Sequence, residues 1–153
     1  GKLWSCGLWS SERGTGLEFC RRISFLYPSK SDGHDNAISC KSQTINVKPG
    51  KYSAVHLLGF ATEDTVGNIT LTYKLQSNNV KIELSSWDKA PIHGEHPAFV
   101  CLHRHSPDGD QRGQPCYLNH YVVQLDPLQE LTSITLPANP AIKLLAVTLE
   151  KAQ

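Results

Sequence analysis

From Gln43 onward, apolar residues recur at every second position in short runs closed by turn residues, and no stretch repeats them at spacings of 3, 4 and 7 over three turns. Period-2 alternation puts apolar side chains on one pleat face, so each run needs a second sheet to cover it. About eight such runs at intervals of roughly 10 residues predict an all-β chain of two packed antiparallel sheets, a sandwich or jelly roll.

Individual runs carry the expectation. Ile45 and Val47 alternate before Pro49-Gly50, and Val55, Leu57, Leu58 and Phe60 form a more continuous run. Ile69, Leu71, Tyr73 and Leu75 share one face, with Thr70, Thr72 and Lys74 on the other. Asn78-Asn79 reads as a tight turn into Val80, Ile82 and Leu84, whose outward neighbours Lys81, Glu83 and Ser85 are polar, which predicts a hairpin. Ala98 to His103, Tyr117 to Leu125, Leu131 to Leu136 and Ile142 to Leu149 complete the set. The last is apolar on both pleat faces, which suits a central strand covered on both sides. Before residue 40 the pattern dissolves into Gly, Ser, Arg and aromatic residues, with Ile23, Phe25 and Tyr27 as one edge strand. Residues 1–31 therefore read as a strap tied down by Cys6 and Cys20, with Trp4 and Trp9 packing on a sandwich core of 32–149. The 153 residues make one domain, with no repeat and no internal boundary.

A charged fraction of 19% and a formal net charge of +1 offer no surface for a polyanion, so nucleic acid is not an expected partner. The longest apolar run, Ile142 to Leu149, is broken by Lys143 and falls short of the roughly 18 residues a membrane span needs. The start carries no apolar signal region, and Gly1 reads as the beginning of a mature chain. Five cysteines, at 6, 20, 40, 101 and 116, none in CxxC spacing, point to disulfides and an oxidising, extracellular compartment. The sequon Asn68-Ile69-Thr70, beside Asp64 and Gly67 in what reads as an exposed turn, agrees with secretion. Cys101 and Cys116 sit on apparently neighbouring strands, and closing their loop of about 15 residues would contribute roughly 3 kcal/mol. Cys20 with Cys40 is the second expected bridge. Cys6 is the expected outgoing partner to another chain, a free buried thiol being the other outcome for the odd cysteine.

Three stretches carry a family resemblance: Asp35-Asn36-Ala37-Ile38 leading to Gln43-Thr44-Ile45; Lys51-Tyr52-Ser53-Ala54-Val55-His56-Leu57-Leu58-Gly59; and Ile134-Thr135-Leu136-Pro137 followed by Leu144-Leu145-Ala146-Val147-Thr148-Leu149. With Ser86-Trp87-Asp88 at a strand end, they resemble the galactose-binding-like β-sandwich domains appended to secreted glycoside hydrolases. Lys41-Ser42 departs from that pattern, standing where a Gly usually precedes the Gln. The resemblance implies a glycan-binding module, and for a free-standing copy a lectin, with galactose-type glycans among its partners. It also admits a structural calcium without placing it.

The densest polar cluster runs from Trp87 to Tyr117 and holds His93, Glu95, His96, His103, Arg104, His105, Asp108, Asp110 and Arg112. Sugar recognition needs planar polar partners for vicinal hydroxyls and a flat apolar surface for the ring. Trp87, Tyr117 and Tyr121 offer the surface; His103, Arg104, Asp108 and Asp110 offer the polar contacts. Two other chemistries share these residues. His103 and His105 fall on one strand face and, joined by His93, His96 or His120, would suit a jelly-roll metalloenzyme. Asp108-Gly109-Asp110 followed by Gly113 is a fragment of a calcium loop that lacks its downstream Glu, leaving Asp108 and Asp110 as metal candidates. No GxSxG, phosphate loop or HExxH is present. The sequence thus favours a secreted, non-enzymatic carbohydrate-binding protein, oligomeric or disulfide-linked, over a His103/His105 metalloenzyme or a structural, partner-binding subunit.

Overall fold

The computed structural model of the chain describes residues 3–5, 23–26, 35–106 and 109–153, and of residues 3–5, 103–106 and 110 the backbone alone. Ten strands run through the described residues: β1 (Leu3–Ser5), β2 (Ser24–Leu26), β3 (Ile38–Ser39), β4 (Thr44–Ala61), β5 (Thr65–Tyr73), β6 (Ser77–Leu84), β7 (His96–Ser106), β8 (Gly109–Gln124), β9 (Glu130–Thr135) and β10 (Ile142–Lys151). All ladders are antiparallel, and among the described residues no helix is long and apolar enough to cross a membrane. The β-sandwich architecture expected from the alternation is what the chain adopts.

The 18-residue β4 organises the fold, because it belongs to both sheets. Its first half, Thr44 to Lys51, pairs with β9 in a sheet ordered β4-β9-β5-β6. Its second half, Tyr52 to Ala61, lies between β10 and β8 in a sheet ordered β3-β10-β4-β8-β7. Pro49, without an N–H, sits in the register break between Asn46 and Gly50, where its missing donor costs no ladder bond. Pro49-Gly50 looks in sequence like a gap between two strands and is a handover within one.

Val55, Leu57, Tyr121 and Val123 from one sheet face Ile69, Leu71, Ile134, Leu131 and Leu84 from the other, forming the core. Where the sheets and strands close most tightly, side chains are absent. A Cβ on Gly59 would meet the Lys143 carbonyl oxygen and, at 2.9 Å, Leu144 Cδ2; one on Gly67 would meet Ile142 and Pro137 at 2.8 Å.

Several details correct the sequence reading. The β5–β6 hairpin forms, but it turns at Lys74–Gln76, where Tyr73 N–H donates to Gln76 O at 2.8 Å. Asn78 and Asn79 are strand residues paired with Leu71 and Thr70, and Thr70 Oγ1 bonds Asn79 Oδ1 at 2.6 Å. Leu75 therefore leaves the core face and is 92% exposed at the tip. The sequon lies in a strand rather than a turn: Asn68 is exposed on the outer face of β5, and Gly67 beside it is buried by its contact with the other sheet. β10 is not central, since β4 flanks it along its length and β3 meets it only at Lys143 and Leu144. Its second apolar face is covered instead by β2, which pairs with β1 and receives a hydrogen bond from Thr148 Oγ1 to Ser24 O at 2.9 Å. The strap contacts of Cys6, Trp9 and Cys20 lie outside the described residues.

Candidate functional site

The segment after β6 is held by its own polar groups. Asp64 accepts the Ser86 N–H at 2.8 Å and the Lys89 ammonium at 2.5 Å. The Lys89 bond holds the Asp64 carboxyl below the usual carboxylate range, with the Ser86 N–H acting in the same direction. Trp87 N–H donates to Ala61 O at 2.8 Å, and Tyr117 N–H donates to Trp87 O at 2.7 Å. Two of the sequence candidates, Trp87 and Tyr117, are thus brought together, each half-buried.

The following loop is fixed by Glu95, a carboxylate only 6% exposed. Its Oε1 accepts Ser85 N–H at 2.8 Å and its Oε2 accepts His93 N–H at 2.9 Å, while Ser85 Oγ accepts Ile92 N–H at 2.9 Å. Gly94, at φ +91°, supplies the left-handed residue that lets the chain turn back between those anchors. The loop walls a cleft of about 300 Å³ lined by Lys81, Glu83, His93, Gly94, Glu95 and Tyr121, with Ile82 and Val122 completing it.

The chemistry of this cleft is mixed. Lys81 Nζ bonds Glu83 Oε1 at 2.6 Å, and His93 Nδ1 stands 3.5 Å from Glu83 Oε2. The hydrogen bond and charge of Lys81, reinforced by His93, hold the Glu83 carboxyl below its ordinary range. Donors and an anionic acceptor therefore line the cleft beside Tyr121, a core residue only 6% exposed. The Tyr121 hydroxyl and the fully buried Asn119 amide lie close together inside the sheet. Burial drives the Tyr121 phenol well above its ordinary value, the Asn119 amide works against that rise, and the nearby Glu95 charge adds to it.

Of the cluster singled out in sequence, His93 and Glu95 reach the cleft, with Tyr121. His96 pairs with His120 across the β7–β8 ladder, away from His93. β7 and β8 continue beyond the sheet as a two-stranded ribbon carrying Phe99 (51% exposed) and Leu102 (72%). The backbones of His103, Arg104, His105 and Asp110 run along this ribbon, opposite Arg112, Gln111, Asp110 and His105. Asp108 and the side chains of His103, Arg104, His105 and Asp110 lie outside the described residues, and with them the metal and calcium candidates. Among the described residues, no group of three or more His, Cys, Asp or Glu converges for a metal ion.

Cys101 and Cys116 occupy directly opposed positions in the β7–β8 ladder, both half-buried and both thiols in this structure. Opposed antiparallel residues have Cα separations of about 4.5–5.5 Å, within the range a disulfide spans. Cys40 is a thiol in the core with no exposed surface, and burial pushes it up to about 11. Its expected partner Cys20 lies outside the described residues.

A second polar cluster lies on the opposite face of the β10-β4-β8 sheet. Glu150 Oε2, His56 Nε2, His56 Nδ1 and His120 Nε2 form a chain with links of 3.1 and 3.0 Å, and both histidines are about 5% exposed. His56 escapes a sequence reading because it stands in the near-continuous run Val55–Phe60; its only signal is one polar residue on the outward phase of an apolar strand. Lys81 and Glu83 escape for the opposite reason, as ordinary outward positions of β6.

No curated protein matches the chain. Residues 18–153 match the family described as the AziU2-like beta-sandwich domain, and this match over most of the sequence agrees with the two-sheet, all-antiparallel architecture. The chain is a member of the AziU2-like beta-sandwich domain family.

Proposed function

We propose that this chain is a secreted, non-enzymatic carbohydrate-binding β-sandwich, a lectin or lectin subunit, and that its sugar site is the cleft walled by the 91–95 loop. The observation that carries the reading is the cleft itself. It is about 300 Å³, at the small end of ligand pockets, with an anionic acceptor and cationic or imidazole donors on the same walls as the apolar Ile82 and Val122. Vicinal hydroxyls suit the Glu83, Lys81 and His93 set, and the C–H groups of a sugar ring suit the exposed apolar side chain of Val122. Glu95 takes a positioning role, since both its oxygens are committed to backbone N–H groups. The sequence candidates Arg104, Asp108 and Asp110 stay in this reading as further contacts for a longer glycan. A bound calcium belongs to this reading through Asp108 and Asp110. An interchain bridge through Cys6 would supply the second copy that raises a weak site to useful avidity.

The test is a glycan array read in calcium buffer and after EDTA, with wild type, Glu83→Ala/His93→Ala and Arg104→Ala/Asp108→Ala. Selective binding that falls tenfold or more in the Glu83/His93 variant, at an unchanged melting temperature, is the expected result. Silence of wild type in both buffers refutes the sugar reading. Full binding by the Glu83/His93 variant refutes the cleft, and loss only with Arg104 and Asp108 moves the site to the ribbon. Loss with EDTA makes Asp108 and Asp110 metal ligands.

A further inference from the structure

With both imidazoles uncharged, the Glu150–His56–His120 chain has one internally consistent proton order. A carboxylate only accepts, so His56 donates from Nε2 to Glu150 Oε2 at 3.1 Å. The Nδ1 of neutral His56 is then a bare acceptor and must take its 3.0 Å bond from His120 Nε2–H. That leaves His120 Nδ1 as a lone pair, and it is the nitrogen found buried without a partner among the described residues. Over it lies the β1–β2 ladder: Phe25, 3% exposed, meets the His120 ring edge-on with centroids 5.5 Å apart, and Ser24 accepts from Thr148 beside it. An apolar cover can sit on an uncharged imidazole; it cannot solvate an imidazolium.

We propose that the Glu150–His56–His120 chain is an acid-operated latch, which holds the β1–β2 segment on the β10-β4-β8 sheet at neutral pH and releases it on acidification. The groups facing His120 are His56 from β4, His96 from β7, Glu150 through His56 from β10, and the apolar Phe25 from β2. Burial, then the charges of His56 and His96, lower His120 from 6.5 to about 4. The docked form therefore binds fewer protons than the open form between those values. Docking is fully supported above pH 6.5 and weakens as the pH falls toward 4. His56 and His96 stay beside His120 when β2 lifts, so the part of that lowering that acts on docking is the burial β2 itself imposes. Lifting β2 exposes the outer face alone, because the core between the two sheets does not include these histidines.

Hydrogen exchange of the full chain, corrected for the intrinsic pH dependence of amide exchange, tests the latch. Protection of the Ser24–Leu26 amides is expected to fall about tenfold or more between pH 7 and pH 4, the change that one pK unit of docking-linked shift produces, while the β5–β6 amides keep theirs. His120→Gln, whose amide nitrogen can replace Nε2 without titrating, should dock at pH 7 and lose the acid response. Phe25→Ala tests the same latch from the cover side and leaves the histidine pair in place: its Ser24–Leu26 amides should already be weakly protected at pH 7 and should respond less to acid than those of wild type. A pH-independent Ser24–Leu26 signal in wild type overturns the proposal. So does a parallel loss in β5–β6, an unaltered acid response in His120→Gln, or a response in Phe25→Ala as large as that of wild type.

Discussion

Gly59→Ala should be among the most damaging single-methyl additions in the molecule. Gly59 pairs with Leu144 on one side and Asn119 on the other, at the centre of the β10-β4-β8 sheet. An added Cβ would run into the Lys143 carbonyl oxygen and approach Leu144 Cδ2 at 2.9 Å and Leu144 Cα at 3.2 Å. The side-chain atom can rotate away, but the carbonyl and the Cα belong to the neighbouring backbone and can yield only if β10 moves off β4. Overpacking of this kind costs about 1–3 kcal/mol, and each ladder bond broken in the retreat adds about 1 kcal/mol. A destabilisation of about 3–5 kcal/mol follows with two bonds lost. Gly50→Ala is the control on the same strand. Its Cβ would touch only the Tyr52 ring, at 3.4 Å, an ordinary contact. That variant should lie within about 1 kcal/mol of wild type, with the lost unfolded-state freedom of glycine acting in its favour. Urea unfolding of both variants, with unchanged m-values, reads the difference. A Gly59→Ala midpoint equivalent to less than about 1 kcal/mol of loss would refute the close approach of β10 to β4.

Ser42 adopts φ 61°, in the left-handed region that favours Gly, and its N–H is fixed to Pro137 O at 3.1 Å. A left-handed non-glycine residue costs about 1–2 kcal/mol, part of which glycine returns through its unfolded-state entropy, so Ser42→Gly should raise stability by about 0.5–1 kcal/mol in the same urea assay. Oxidised glutathione should close Cys101 to Cys116, with two thiol hydrogens leaving as two glutathione thiols form. Peptide mapping should show a mass 2 Da lower and unfolding should shift by about 3 kcal/mol toward stability. Cys40, buried and pushed up to about 11, should resist iodoacetamide at pH 8 in the native chain; labelling of Cys40 as fast as Cys101 and Cys116 would contradict its burial.

The alternation of Ile69, Leu71 and Tyr73 against Val80, Ile82 and Leu84 made the β5–β6 hairpin legible, because one side of each strand faces water and the period is visible. The same rule misplaced the turn, since two asparagines look like a turn whether or not a cross-strand threonine has claimed one of them. β10 looked central because burial on both faces was read as hydrogen bonding on both edges; its outer face is covered by a segment from the start of the chain, a contact that no local pattern records. Half of the cleft was legible: His93 and Glu95 stood out in a polar cluster. Lys81 and Glu83 gain meaning only when the 91–95 loop folds over them, and His56 only when β8 and β10 bring His120 and Glu150 alongside.

The sharing of β4 between sheets has a consequence for how the chain reaches its fold. The pairing partners of β4, in β8, β9 and β10, all begin roughly 60 residues or more downstream of its own end, whereas β5–β6 and β7–β8 are the local hairpins. On a ribosome, neither sheet can close until most of the sequence through Lys151 has emerged. Until then the Val55–Phe60 run has no strand to meet and is the segment that most needs shielding from other chains, by a chaperone or by the β1–β2 segment made before it.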